Sequence, residues 1–135
     1  MLLTYFVQFR RFISVGAAGF LIEALILQIL VVYLDVEAFT ALIIAFAVAV
    51  TLTWALNRTY TFKVTEDRSV REWVIYTFVN SLGGGIHLAT YWWVIQIWPG
   101  LVQYPLLPLV VSSAVAAVFN FVVSKKVVFN DNRPG

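Results

Sequence analysis

Long apolar stretches alternate with short polar stretches along the whole chain. A helix that crosses the hydrocarbon core of a bilayer needs roughly 20 predominantly apolar residues. Four stretches reach about that length, so the pattern predicts four transmembrane helices, at about 12–34, 39–56, 73–98 and 105–123.

The polar connections indicate how these four spans are paired. Asp35–Ala38 separates the first two spans and Pro99–Tyr104 separates the last two. Both connections are short, and short connections join antiparallel neighbours. The longer polar stretch at 57–72 is the only plausible linker. We therefore expect an all-α integral membrane protein, one domain over residues 1–135, built from two tandem helical hairpins.

The basic residues predict an orientation, because Lys and Arg collect on the cytosolic side of membrane spans. All of them lie outside the apolar stretches, in three clusters: Arg10 and Arg11; Arg58, Lys63, Arg68 and Arg71; and Lys125, Lys126 and Arg133. Both termini and the linker are therefore expected in the cytosol.

Composition favours a bilayer over water as the solvent of this chain. The 135 residues are 61% hydrophobic and 12% charged, about half the charged share of a soluble domain. The net charge of +2 comes from residues that flank apolar spans, so lipid headgroups explain the basic clusters better than nucleic acid does. The absence of cysteine excludes disulfides, thiol catalysis and Cys-type metal sites.

The first apolar stretch has two parts with different predicted fates. It is too long for the core of a signal peptide, so it should remain as an anchor. Met1–Phe9 is apolar but too short to span, and is expected to lie in the membrane interface as a brief helix.

The two halves of the chain resemble each other. An offset of 64 residues aligns 12–23 with 76–87, and an offset of 67 residues aligns 54–62 with 121–129. These matches predict half-repeats at about 9–62 and 73–129. Because both halves start on the cytosolic side, the repeat would be parallel, with its axis along the membrane normal.

Three motifs resemble the GtrA-like family of small four-span bacterial membrane proteins. They are RFISVG at 11–16, LNRTYTF at 56–62 and NFVVSKKVVF at 120–129. Together with their spacing they extend the resemblance over about residues 9–129. The first half departs from the pattern, with Thr53-Trp54 where the second half has Asn120-Phe121.

The resemblance implies a role in cell-surface polysaccharide synthesis. Family members are thought to move a polyprenyl-phosphate-linked sugar from the inner to the outer leaflet of the bacterial inner membrane, where glycosyltransferases use it. Membrane lipids and a glycosyltransferase are the other partners that we consider. No constellation of catalytic residues stands out, so neither an enzyme nor a cofactor is expected.

Glu23 and His87 are the most conspicuous residues within the spans. Each lies midway along a span, and the repeat matches them to each other. An intramembrane carboxylate costs on the order of 3 kcal/mol, so Glu23 should face the bundle interior or a wet cavity. There the pair would bind sugar hydroxyls or exchange a proton, and a single midplane cavity would hold both. Alternatively, each only hydrogen-bonds between helices. Two such ligands are too few for a metal site.

Basic and polar residues just past the second and fourth spans are candidates for binding a lipid phosphate. Arg58, Lys125 and Lys126 lie at the depth where the phosphate of an inner-leaflet lipid would lie, with Asn57 beside Arg58. Arg would grip the phosphate with two donors and Lys would supply a point charge. Positive-inside anchoring explains the same residues without any ligand.

Two further asparagines and a glycine triplet fall within the last two spans. Asn80 and Asn120 would each hydrogen-bond a sugar or tie helices together. Gly83–Gly85 would permit close helix approach or a local break beside His87.

Two other functions remain open. Small multidrug-type exporters also have four spans and a single Glu in the first, although they lack the tandem repeat. A non-transporting scaffold that recruits a glycosyltransferase is the second alternative. Because four spans enclose little space for a sugar headgroup, a homo-oligomer is expected.

Overall fold

The protein is all-helical over the residues that its structure, a computed structural model, describes, which are 1–104 and 106–130. Pro105, the predicted start of the fourth span, and Arg133 lie outside the described residues. The helices are α1 at Leu2–Gln28, α2 at Ala38–Leu56, α3 at Val70–Ile97 and α4 at Leu106–Val123. Three of them continue into five-residue π-helical turns at Ile29–Tyr33, Asn57–Thr61 and Ser124–Val128, and a 3-10 turn, Pro99–Gln103, follows α3.

Three of the helices are long and apolar enough to cross a membrane. With their π-helical turns they cover Leu2–Tyr33, Thr40–Thr61 and Leu107–Val128, and their most apolar windows have mean hydropathies of 2.3, 1.9 and 2.0. The α3 helix is long enough but less apolar, because it carries Asn80, three glycines and His87. Its crossing of the membrane therefore stays a prediction.

The first helix corrects the prediction for Met1–Phe9. These residues do not form a brief helix of their own, because α1 begins at Leu2 and continues without interruption to Gln28. No proline or glycine lies between Leu2 and Val15 to stop it. With its π-helical turn the helix has 32 residues, about 48 Å, which exceeds the roughly 30 Å of hydrocarbon.

The chain divides into two compact units, and the first is Met1–Trp73. Its α1 helix buries Phe12, Val15 and Gly19. The ring centroids of Phe12 and Phe62 are 6.1 Å apart, within the range of favourable aromatic pairs. The pair joins the N-terminal part of α1 to the residue that follows the π-helical turn after α2.

The second unit, Val74–Gly135, contains a corresponding pair. Tyr76 and Val79 of α3 are buried, with 1% and 3% of their surfaces exposed, and Gly83 is buried as well. The centroids of the Tyr76 and Phe129 rings are 5.7 Å apart. The alignment of the halves places Tyr76 over Phe12 and Phe129 over Phe62, so each unit has an aromatic pair at equivalent positions.

Candidate functional site

A buried ion pair lies at the end of α2 in the first unit. Arg58 Nε donates to Glu72 Oε1 at 2.9 Å, and the two side chains are 4% and 9% exposed. Trp54 Nε1 donates to the same carboxylate oxygen at 2.9 Å. Two donors on one oxygen compensate for the removal of this carboxylate from water.

The same guanidinium holds the linker onto α2. Arg58 Nη2 donates to the carbonyl oxygens of Glu66 and Asp67, and Nη1 lies 3.4 Å from the carbonyl oxygen of Val64. Most of the donors of Arg58 are therefore engaged within the protein. Its predicted contact with a lipid phosphate is untested, and such a contact would have to displace these bonds.

Glu72 is the partner of Arg58 that the sequence analysis did not predict. The sequence placed it at the end of a solvated stretch, yet only 7% of it is exposed. The Glu72 amide donates to Ser69 Oγ at 3.1 Å, which is half of the capping box that Ser-x-x-Glu predicts at a helix start. That motif was a readable signal, but the carboxylate turns to Arg58 and Trp54 instead of completing the box.

Asn57 lies beside Arg58 and is nearly inaccessible, with 1% of its surface exposed. Its Oδ1 accepts a hydrogen bond from Thr61 Oγ1 at 2.7 Å, within the same π-helical turn. This bond gives Asn57 a structural role, and its predicted place at a lipid phosphate is untested.

In the second unit, an asparagine side chain packs directly against a glycine of α3. A Cβ added at Gly83 would collide with the Asn120 side-chain amide. Asn120 Oδ1 is buried and has no hydrogen-bond partner among the described residues. Asn80, one turn from Gly83, donates from Nδ2 to the carbonyl oxygen of Tyr76 at 2.9 Å. The contact leaves a buried acceptor on α4 beside a polar turn of α3.

The glycine triplet does not break its helix. The α3 helix runs without interruption through Gly83–Gly85, and a Cβ added at Gly84 or Gly85 would meet no atom of the described residues within 4 Å. Of the two expected roles, close approach is therefore the one that Gly83 has, and the local break is not present.

The basic residues after α4 differ from Arg58 in burial. Lys125 is half-buried and Lys126 is exposed, with Lys125 Nζ 6.0 Å from the centroid of the Phe121 ring. Ser124, which the repeat matches to Asn57, is fully buried, and its Oγ has no hydrogen-bond partner in the described part of the chain. Phosphate binding by the two lysines stays a prediction.

A comparison with protein families shows to which family the chain belongs. The model of the GtrA/DPMS transmembrane domain matches residues 11–129. The chain belongs to the GtrA/DPMS family. The resemblance to GtrA-like proteins is thereby confirmed, and the chain is a membrane protein with several apolar helices. No curated protein matches it.

Of the three motifs that carry the resemblance to the GtrA/DPMS family, two lie at helix ends and one lies within a helix. Residues 11–16 lie in α1, whereas 56–62 and 120–129 contain the ends of α2 and α4 with their π-helical turns. Phe62 N donates to the Asn57 carbonyl oxygen and Phe129 N to the Ser124 carbonyl oxygen, both at 2.8 Å. The motifs at 56–62 and 120–129 thus end their helices in the same way.

Glu23 and His87 lie in different units of this GtrA/DPMS domain, Glu23 on α1 and His87 on α3. Both are half-buried, and the structure records no hydrogen bond to either side chain within the residues it describes. Their joint cavity stays a prediction. No group of three or more His, Cys, Asp or Glu that could hold a metal ion occurs in 1–104 and 106–130.

Proposed function

We propose that this chain moves a polyprenyl-phosphate-linked sugar from the inner to the outer leaflet of the bacterial inner membrane, for cell-surface polysaccharide synthesis or glycosylation. The observation that carries the proposal is the family match over residues 11–129, because this domain is linked to the flipping of lipid-linked sugars. The family is generally a non-enzymatic one of transporters.

Polar groups at membrane depth support the proposal. Moving a sugar through hydrocarbon requires partners for its hydroxyls, because each unsatisfied polar group costs about 2–7 kcal/mol there. Asn120 offers a buried acceptor without a partner among the described residues. Glu23 and His87 add polar side chains near the middle of the spans predicted at 12–34 and 73–98, and Asn80 adds an amide one turn from Gly83.

The proposed arrangement has four spans in two tandem hairpins, with both termini and the linker in the cytosol. The lipid-linked sugar would enter from the cytosolic leaflet, where the basic clusters lie. A homo-oligomer would enlarge the polar path that one chain offers, and a glycosyltransferase would use the sugar on the far side.

The test is reconstitution of the purified chain into vesicles that contain a labelled polyprenyl-phosphate sugar. The protein should bring inner-leaflet lipid to the outer surface, where an impermeant reagent modifies it. Glu23→Gln keeps the shape of the side chain and removes its titration, so full transport by this variant would exclude proton coupling through Glu23. Vesicles that show no movement while the chain co-purifies with a transferase would favour the scaffold.

A second candidate function rests on Glu23. It is the one acidic residue between Phe12 and Leu34, as in small multidrug-type exporters, and its carboxylate has no recorded hydrogen bond in the described structure. Proton-coupled efflux of hydrophobic cations that is lost in Glu23→Gln would favour this function. The family match argues against it.

A further inference from the structure

A cleft of about 300 Å³ opens between the first turns of α1 and the residues that follow α2. Its walls include the apolar side chains of Leu3, Val7 and Phe62, and two cations, Arg11 and Lys63, also line it. All of these residues belong to the first unit. The continuous start of α1 supplies one wall, so the part of the helix that sequence reasoning separated from the span is what forms the cleft.

The Arg11 guanidinium is held in place with donors to spare. Its Nη1 donates to the Tyr60 carbonyl oxygen at 3.1 Å, and its Cζ lies 4.8 Å from the centroid of the Tyr60 ring. A guanidinium stacked on an aromatic ring has a fixed plane. Among the described residues this is its one recorded hydrogen bond, so most of its five N–H groups remain for an anion.

Lys63 reaches the same cleft from a strained backbone. Its φ is 53°, in the left-handed region that costs a residue with a Cβ about 1 kcal/mol. Glycine is the usual residue at this point after a helix end, and the bond from Val64 N to the Arg58 carbonyl oxygen, 2.9 Å, closes the turn.

The positive φ angle is more unusual for Lys63 than for Asp35, the other described residue besides glycine that has one. Asp35 has a similar φ of 51°, but short polar Asp side chains are several-fold enriched in that region and Lys is not. A Lys in this strained backbone conformation suggests that its side-chain cation has a role.

We propose that Arg11 and Lys63 bind the phosphate of the polyprenyl-phosphate-linked sugar at the cytosolic leaflet, with Leu3, Val7 and Phe62 against its first isoprenyl units. The identity of this ligand rests on the proposed function. The chemistry of the cleft supports it independently, because two cations beside apolar walls suit a phosphate that carries a lipid tail. Arg58, by contrast, is engaged with Glu72 and the linker carbonyls.

The test measures binding of a labelled polyprenyl phosphate to the full chain in nanodiscs of neutral lipid. Each lost charge-assisted contact should weaken binding about tenfold, so Arg11→Gln and Lys63→Gly should each do so. Arg71→Gln removes the same charge from an exposed position of α3 and should leave binding unchanged. Competition by unlabelled polyprenyl phosphate should be strong, and competition by polyprenol, which has no phosphate, should be weak.

Lys63→Gly separates binding from folding. Glycine relieves the backbone strain, so this variant should unfold at the same or a higher temperature while it binds more weakly. Unchanged binding in both Lys63→Gly and Arg11→Gln would overturn the proposal. Equal competition by phosphatidylglycerol would overturn it as well, because the cleft would then be a general contact for anionic lipids.

The two proposals fail in distinguishable ways. Transport by the wild-type chain together with unchanged binding by the variants would contradict phosphate binding in this cleft, while the proposed transport function would stand. Binding that depends on Arg11 and Lys63, in vesicles where no lipid-linked sugar moves, would support phosphate binding in the cleft and contradict the transport function.

Discussion

At the scale of residues, the ion pair of Arg58 and Glu72 shows how one position can look like a ligand site and serve the fold. A basic residue past a span end suggests contact with lipid phosphate, and an acidic residue in a polar linker suggests solvent. The structure buries both and adds the Trp54 indole to the same carboxylate. Removing one member of such a pair leaves an uncompensated charge, which costs more than the intact pair contributes.

We expect Glu72→Ala to destabilise the chain by about 3 kcal/mol, because Arg58 would stay buried without its carboxylate. Glu72→Gln, which keeps an acceptor for Trp54, should cost less. Unfolding in detergent, followed by tryptophan fluorescence, measures the difference. Glu66→Gln is the matched control, since Glu66 accepts from Arg58 through its backbone carbonyl oxygen, which the substitution keeps. Equal stability of Glu72→Ala and Glu66→Gln would contradict the role of the buried pair.

At the scale of elements, each unit packs one glycine against a side chain of its neighbouring helix. A Cβ on Gly19 would collide with the Thr53 methyl group, as one on Gly83 would with the Asn120 amide. An offset of 64 residues matches the two glycines, and an offset of 67 matches Thr53 with Asn120. The halves thus use the same close approach with different partners, as expected of a duplication that has diverged. The duplication itself stays a prediction.

Gly83→Ala should destabilise the packing of α3 on α4 by about 2 kcal/mol, because the Asn120 amide would have to move. Gly84→Ala is the matched control on the next residue. Its Cβ has open space, and alanine is favoured over glycine within a helix by roughly 0.5–1 kcal/mol, so Gly84→Ala should be neutral or stabilising. Thermal unfolding of both variants checks this, and a loss in Gly84→Ala as large as that in Gly83→Ala would contradict it.

Gly19→Ala and Gly16→Ala give the same comparison in the first unit. Gly19→Ala should lower the unfolding temperature, because the β-branched Thr53 has few rotamers in a helix with which to withdraw its methyl group. A Cβ at Gly16 would meet nothing within 4 Å in the part of the chain that the structure describes, so Gly16→Ala should be tolerated. Similar unfolding temperatures for the two variants would show that Gly19 does not mark a close contact.

Hydropathy predicted the helices well and their tertiary contacts poorly. The α2 and α4 helices end at Leu56 and Val123, where the sequence ended its second and fourth apolar stretches. It could not foresee that α1 begins at Leu2, because an apolar stretch too short to span carries no sign of whether it continues the next helix. The burial of Glu72 and the backbone angle of Lys63 depend on contacts distant in sequence, which periodicity does not record.

At the scale of the whole molecule, the number of spans depends on whether α3 crosses the membrane. If α3 crosses the membrane, the chain has four spans, and both termini lie on one side. If it does not, the end of α3 lies on the same side as the linker. The chain contains no cysteine, so single cysteines can be introduced without any background.

We expect a membrane-impermeant maleimide to label Leu34→Cys and Gly100→Cys from outside spheroplasts, because both positions are exposed and follow predicted outward crossings. Glu66→Cys, in the linker, should be labelled only after permeabilisation. Labelling of Gly100→Cys only after permeabilisation would contradict the crossing of α3.

The most direct test of the central claim follows a labelled polyprenyl-phosphate sugar in vesicles that contain the purified chain. An impermeant oxidant added outside should modify nearly the whole pool of lipid-linked sugar when wild-type protein is present, and only the outer-leaflet share in protein-free vesicles. An accessible pool that stays at the outer-leaflet share, with correctly folded protein in the vesicles, would contradict the account.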